Sequence, residues 1–307
     1  MGARLLKPAK AVGSVLAAVS VVFIAALLWR ERAVLAAFSP DAGGLAVLGA
    51  CALSYALLGW VLADAWRQLL VWAGETNVGS ADTRRIFAST QIAKYIPGNI
   101  AQFAGRQLVG RQAGWTHAGL LLSTVFELGS LVLVGAVIAT FAIVAGARGL
   151  IDPALLVLAT VFVVAGFVLV PRVGPRLLAR RWPETAQRLA RLRMTGLWPI
   201  SARHALFFAV TGLIMVFVTQ VVIGEAVPWQ HWPSLVGLFA IAWIASTLTP
   251  GAPSGLGVRE VILVAGLAFL TSTGNAILIS TLLRLVTVSG DVLFFAVAGT
   301  GPPKQTG

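Results

Sequence analysis

The sequence predicts an all-α, polytopic membrane protein, organised as a single integral membrane domain over 1–307. Three observations carry that expectation. The chain is 58% hydrophobic and 11% charged, more apolar surface than a soluble fold of 307 residues can bury. Six apolar segments reach spanning length, at 11–29, 44–65, 118–145, 153–170, 205–223 and 276–298. The Lys and Arg residues behind the net charge of +12 cluster between those segments, not along a basic groove with interleaved aromatics. That is the distribution of positive cytoplasmic loops, and it argues against a nucleic-acid partner.

The first segment follows Arg4, Lys7 and Lys10, which places the amino terminus in the cytoplasm. Its full spanning length and the lack of a convincing small-residue cleavage site predict a retained helix and not a signal peptide. The second segment holds Cys51, the lone cysteine, expected as a buried small hydrophobe, and ends near Asp64 and Arg67, expected as a helix-end pair. Between 80 and 114 two arms, 86–96 and 99–108, flank Pro97-Gly98. At about 1.5 Å per residue neither arm spans a bilayer, so a re-entrant helical hairpin is expected there.

After the next two spans, the segment 172–203 carries Arg176, Arg180, Arg181, Arg188, Arg191 and Arg193 against a lone Glu184, and reads as the main cytoplasmic loop. A second interrupted region follows, with an arm at 233–248, a break at 249–253 and a return arm at 256–270. Entering from the opposite side, it forms an inverted pair with the first hairpin, as pseudo-repeats around 81–114 and 233–270. Eight full spans are the alternative. Both arrangements leave the carboxyl terminus, with Lys304, in the cytoplasm. Trp60, Trp66, Trp72, Trp115, Trp229 and Trp232 lie near predicted span ends and are expected as interface anchors.

The interruptions carry the functional signal. PGNIAQFAGR at 97–106 and PGAPSGLGVR at 250–259 each give a Pro-Gly break, small and polar residues, then an Arg in the ninth place after the Pro. Irregular backbone at membrane depth lines a cavity or a site. Pro97, Gly98, Gly105, Pro250, Gly251, Gly255 and Gly257 are therefore the expected lining, where glycine admits close backbone approach and freed N–H groups attract an anion. Gly129, Gly135 and Gly212 are expected only to let helices pack.

Lys94, Arg106, Glu127, Arg259, Glu260, Arg284 and Asp291 all fall in segments placed in the membrane. Each costs about 2.5–3.5 kcal/mol at mid-span unless compensated. Mutual pairing is one compensation: Arg284 and Asp291 lie on one helix face, and Glu260 follows Arg259 directly. Receipt of a phosphate is the other, because four cations face three carboxylates. Lys94, Arg106, Arg259 and Arg284 are thus the candidate substrate-binding residues, with Glu127, Glu260 and Asp291 as their charge partners.

Enzymatic constellations are poor by comparison. His117, His204 and His231 are scattered without metal-ligand spacing, and no nucleophile elbow, phosphate loop or dinucleotide fingerprint occurs. No catalytic set, metal or cofactor is expected.

The stretches KYIPGNIAQFAGRQLVGRQAG at 94–114 and TPGAPSGLGVRE at 249–260 resemble the two signature motifs of the lysylphosphatidylglycerol synthase transmembrane region family, the flippase-like membrane proteins. The resemblance runs from the second helix to the last and includes Glu127, where the family commonly has an acid. It implies a helical domain of the bacterial inner membrane that moves lipids. The expectation is a stand-alone member without the aminoacyl transferase domain, so lysyl-lipid synthesis is not implied. Ala252-Pro253-Ser254 stands where many relatives run directly into Gly-Gly-Leu-Gly. The implied cargo is a phospholipid or a polyprenyl-phosphate-linked lipid, and the implied partners include envelope glycan-synthesis proteins.

The leading expectation is a lipid transporter passing an anionic head group between two inverted hairpins. A non-transporting scaffold of an envelope pathway and an intramembrane lipid-phosphate transferase or hydrolase, with Glu127 as its acid-base group, are the alternatives.

Overall fold

A computed structural model describes residues 38–96, 100–144, 152–249 and 257–299, together with Trp29, Arg32 and Ala36. Ten α-helices and no strand occur among them. Helix α1 (Ala42–Trp72) starts where the Asp41 carboxylate accepts the Gly44 N–H at 2.7 Å. It outruns the apolar segment that ends at 65. Its last turns bury Trp66, Leu69 and Leu70, and Asp64 is satisfied by Arg67 at 3.1 Å, Gln68 at 2.9 Å and Arg203 at 3.0 Å. Charges that closed the apolar run thus sit inside the helix and tie it to a neighbour. Cys51 is buried on the same helix.

The first interrupted region forms α2 (Ser80–Gln91), a 3-10 turn (Ile92–Tyr95) and α3 (Ala101–Gln112). The two helices pack on each other, and both flanks return to one place. Glu75, ahead of α2, accepts the backbone N–H of Thr116, behind α3, at 3.0 Å, and the Thr116 hydroxyl as well. Arg188 closes on the same carboxylate at 2.6 Å.

Helices α4 (His117–Val144), α5 (Pro153–Leu178), α6 (Pro183–Arg191) and α7 (Trp198–Ile223) follow. Instead of ending at 170, α5 continues through Pro171 and Pro175 into the basic segment. It packs on α4 and α6 only at the edge of the bundle, and none of its spanning stretch is buried. The indole of Trp72, at the end of α1, donates to the carbonyl of Arg193 at 2.9 Å. The end of α1, the basic segment and both flanks of the first hairpin therefore share one end of the molecule.

Helix α7 carries the chain to the other end and stops at Gly224, whose φ of +74° is the left-handed cap that glycine supplies. There the second interrupted region begins, with a 3-10 turn (Trp229–His231), α8 (Trp232–Leu248) and α9 (Val258–Leu267). The ring of His231, ahead of α8, lies 5.6 Å from that of Phe269, behind α9, so these flanks also meet. Helix α10 (Thr273–Ala298) then runs back along α1. Gly290 faces Ala52 and Tyr55 of α1, and Gly59 faces Phe294, contacts that leave no space for a Cβ and bring the two backbones close.

Among the described residues six helices are long and apolar enough to cross a membrane: Ala42–Trp72, His117–Ala142, Ala154–Leu178, Met194–Ile223, Trp229–Leu248 and Thr273–Ala298. This is a multi-pass membrane protein. Five of the six correspond to apolar segments of the sequence. The other, Trp229–Leu248, is the arm read as half a hairpin, while the expected span at 11–29 lies outside the described residues. With 12, 12 and 10 residues, α2, α3 and α9 reach about 15–18 Å, roughly half a hydrocarbon core of about 30 Å. The second interrupted region has one long arm and one short.

Two expected interface anchors are instead core residues. Trp66 and Trp115 are 0% and 2% exposed and meet edge to face at 5.7 Å, with the Trp66 indole donating to Ser123 at 3.2 Å. Trp229 is exposed.

Candidate functional site

The two hairpins enclose a cavity of about 90 Å³. Gln91, Lys94, Tyr95, Gln102 and Arg106 line it from the first hairpin, and Trp243, Ser246, Thr247 and Arg259 from the second. Tyr55 of α1, Glu127 of α4 and Thr287 of α10 complete the polar wall. A water needs about 10–15 Å³ on this measure, so the space admits a few waters or a small polar group, not a whole lipid.

Arg106 projects from the second turn of α3 and is 2% exposed. Its Nη1 donates to Glu127 Oε2 at 2.5 Å and its Nη2 to Gln91 Oε1 at 2.8 Å. The guanidinium lies over the Phe87 ring, 4.0 Å from its centroid, with Trp66 at 5.2 Å. Two ligands and an aromatic bed hold it rigidly, and only its buried Nε lacks a partner.

Lys94, on the 3-10 turn beside the first break, places Nζ 2.5 Å from Asp291 Oδ2. The Tyr95 hydroxyl donates to the same oxygen at 2.6 Å, and the rings of Tyr55 and Tyr95 lie 5.7 and 5.3 Å from the ammonium. The chain's two tyrosines therefore both stand at this lysine.

Glu260 occupies the first turn of α9. It accepts the Gly257 N–H at 2.6 Å, as a carboxylate three residues into a helix does, and the Nε–H of Arg284 at 2.6 Å. Gly257 has a φ of +91°, a backbone that L side chains rarely adopt, and this lets the chain turn into α9. The pairings differ from those suggested by sequence proximity. Arg284 and Asp291 do not pair along α10: the first holds the second hairpin through Glu260, and the second holds the first hairpin through Lys94. Glu260 turns away from its neighbour Arg259.

Arg259 is left without a carboxylate within ion-pair distance among the described residues. Its guanidinium lies 4.7 Å from the centroid of Phe239, and its buried Nη2 has no hydrogen-bond partner. It lines the cavity together with Lys94 and Arg106, whereas Arg284 sits behind the wall at its carboxylate. Of the expected lining residues, Gly105 is buried in α3 and Gly257 opens α9, while Pro97, Gly98, Pro250, Gly251 and Gly255 lie outside the described residues.

Tyr55, Gln91, Gln102, Trp243 and Ser246 join the site without having been singled out by the sequence. Gln102 lies within the 97–106 motif as one of its unassigned polar residues, and the others are isolated polar or aromatic residues on helix faces with no motif around them. A tyrosine within an apolar span was the one available signal.

Among the described residues no group of His, Cys, Asp and Glu is placed to hold a metal. His204 is spent on packing, with its Nδ1 2.9 Å from the Ser130 hydroxyl between α4 and α7.

No protein-family model matches the chain, and no curated protein matches its sequence. Fold and site thus define a class, a multi-pass helical membrane protein with a small cationic cavity between two broken helical hairpins.

Proposed function

We propose that this protein is a flippase-like lipid transporter of the bacterial inner membrane, with an anionic head group as cargo. In this reading the two hairpins are re-entrant, enter from opposite leaflets and receive the phosphate between them, as broken helices do in transporters built from inverted repeats. The observation that carries it is Arg259: a partly buried guanidinium facing a cavity shared by both hairpins, with its buried Nη2 unpartnered and no carboxylate at ion-pair distance among the described residues. An uncompensated cation at membrane depth is costly, and a phosphate is the ligand that a guanidinium fork best fits. The resemblance of 94–114 and 249–260 to the flippase-like family points the same way.

In this reading the cations have separate tasks. Arg259 takes the phosphate. Lys94, whose Nζ serves Asp291 and Tyr55, keeps one donor for a second contact from the opposite hairpin. Arg106 is already engaged on both its terminal nitrogens and fixes the cavity wall. The cavity's size confines entry to the head group, and the acyl chains stay in the bilayer.

The test is translocation of a fluorescent short-chain phosphatidylglycerol across proteoliposomes, read by chemical quenching of the outer leaflet. Arg259→Ala should reduce the rate to that of protein-free vesicles while inserting normally. Wild-type rates in Arg259→Ala, or no rate above background in the wild type, would leave the scaffold reading in its place.

A further inference from the structure

We infer, building on the transport reading, that the cavity selects a head group carrying one negative charge: a phosphodiester rather than a phosphomonoester or a pyrophosphate. The argument is a charge count at the site. Lys94, Arg106 and Arg284 each have their own carboxylate, respectively Asp291, Glu127 and Glu260, at ion-pair distance. Among the described residues Arg259 alone has none, so the described cluster carries one uncompensated positive charge. The residues of the two breaks outside the described set, 97–99 and 250–256, contain no ionisable side chain to alter the count. The remaining polar groups of the lining, among them Tyr55, Tyr95, Gln91, Gln102, Ser246, Thr247 and Thr287, are neutral.

A phosphodiester brings one negative charge and leaves the filled site neutral. A phosphomonoester brings about −1.5 to −2 near neutral pH, and a pyrophosphate brings more. Either would leave net negative charge beside three carboxylates, or would have to strip one cation from its carboxylate, and both are unfavourable where those pairs are largely withdrawn from water. The hydrogen bonds point in the same direction. Arg259 Nη2 faces this site without a partner, and the Lys94 ammonium, which serves Asp291 and Tyr55, keeps one N–H, a set suited to the two non-bridging oxygens of a diester. Arg106, which a third phosphate oxygen would need, has both terminal nitrogens occupied. A diester also continues beyond its phosphate, and the neutral amide of Gln102 lines the same cavity.

The experiment titrates purified full-length protein in mild detergent at pH 8 with dihexanoyl phosphatidylglycerol, with dihexanoyl phosphatidic acid of the same acyl chains, and with glycerophosphoglycerol, which lacks tails. Phosphatidic acid is close to doubly charged there, its second ionisation lying near about pH 6. Phosphatidylglycerol should bind at least about tenfold more tightly than phosphatidic acid, a difference of about 1.4 kcal/mol. Detectable competition by glycerophosphoglycerol would place recognition on the diester itself, and its failure to compete would make the tails part of the site.

Glu127→Gln keeps a hydrogen-bond acceptor for Arg106 but raises the site's excess charge by one, and should shift the ratio of the two affinities toward phosphatidic acid. Asp291→Asn makes the same change at a different pair and should shift the ratio likewise, so poor folding of one variant leaves the other as the test. Tighter binding of phosphatidic acid by the wild type, or an unchanged ratio in the charge variants, overturns the inference while leaving a phosphate site in place. Binding of neither lipid overturns the transport reading and this inference with it.

Discussion

The two hairpins carry the same Pro-Gly-to-Arg spacing and end in opposite circumstances. Arg106 is locked between Glu127 and Gln91 on the ring of Phe87. Arg259 faces the same cavity against the Phe239 ring, with no carboxylate at ion-pair distance among the described residues. The second hairpin is also unequal, its long arm matching the spanning helices and its short arm reaching about half that depth. Repeated sequence therefore gives repeated backbone breaks and not repeated chemistry. One arginine is part of the wall, and the other is the cation the wall leaves open.

That contrast breaks most directly by mutation. Arg106→Ala leaves the Glu127 carboxylate buried and unpaired, and should cost about 3–5 kcal/mol, the usual penalty for removing one member of a buried ion pair. It should appear as a large drop in melting temperature, or as aggregation, in fluorescence-detected size-exclusion chromatography. The double variant Arg106→Ala/Glu127→Ala should recover part of that loss, because no lone charge remains. Arg259→Ala should leave the melting temperature unchanged or raised, since it deletes a partly buried cation with no ion-pair partner among the described residues, while abolishing phosphate binding. An equal loss of stability in both single variants would erase the proposed division between wall and ligand.

How much of this the sequence could disclose depends on whether a feature is local. The spans were legible because hydropathy is local, and their ends moved only where charges found distant partners. Asp64 and Arg67 seemed to close the second span, yet α1 runs on to Trp72 because Arg203 of α7 neutralises Asp64 within the bundle. The breaks and the seven membrane-embedded charged residues were legible for the same reason. Their pairing was not. Arg284 and Asp291 share a helix face two turns apart, which favours mutual pairing in one dimension, but α10 lies between the hairpins and each residue answers a different one. Tyr55 and Trp243 reach the cavity only through the packing of α1 and α8, which no residue spacing reports.

Smaller perturbations sharpen the comparison. Tyr95→Phe removes a 2.6 Å hydrogen bond to the Asp291 carboxylate and should cost about 1.5–3 kcal/mol, measured by thermal unfolding in detergent. It should also loosen Lys94, so phosphate affinity should change along with stability. Gly257→Ala forces an L side chain into a φ of +91° where α9 begins, and should cost about 1–3 kcal/mol of strain. Because Arg259 lies two residues further on, that variant should weaken ligand binding more than Tyr95→Phe does, despite a similar effect on stability. The reverse order would place the main phosphate contact on Lys94 and the first hairpin.

The most direct measurement is native mass spectrometry of the protein released from mild detergent, wild type beside Arg259→Ala and Gln91→Ala. The Gln91 variant perturbs the Arg106 side of the wall without breaking its ion pair. The account predicts one anionic phospholipid retained by the wild type and by Gln91→Ala, and lost from a folded Arg259→Ala. Identical lipid retention in all three proteins would contradict it, and would return Arg259 to a structural role.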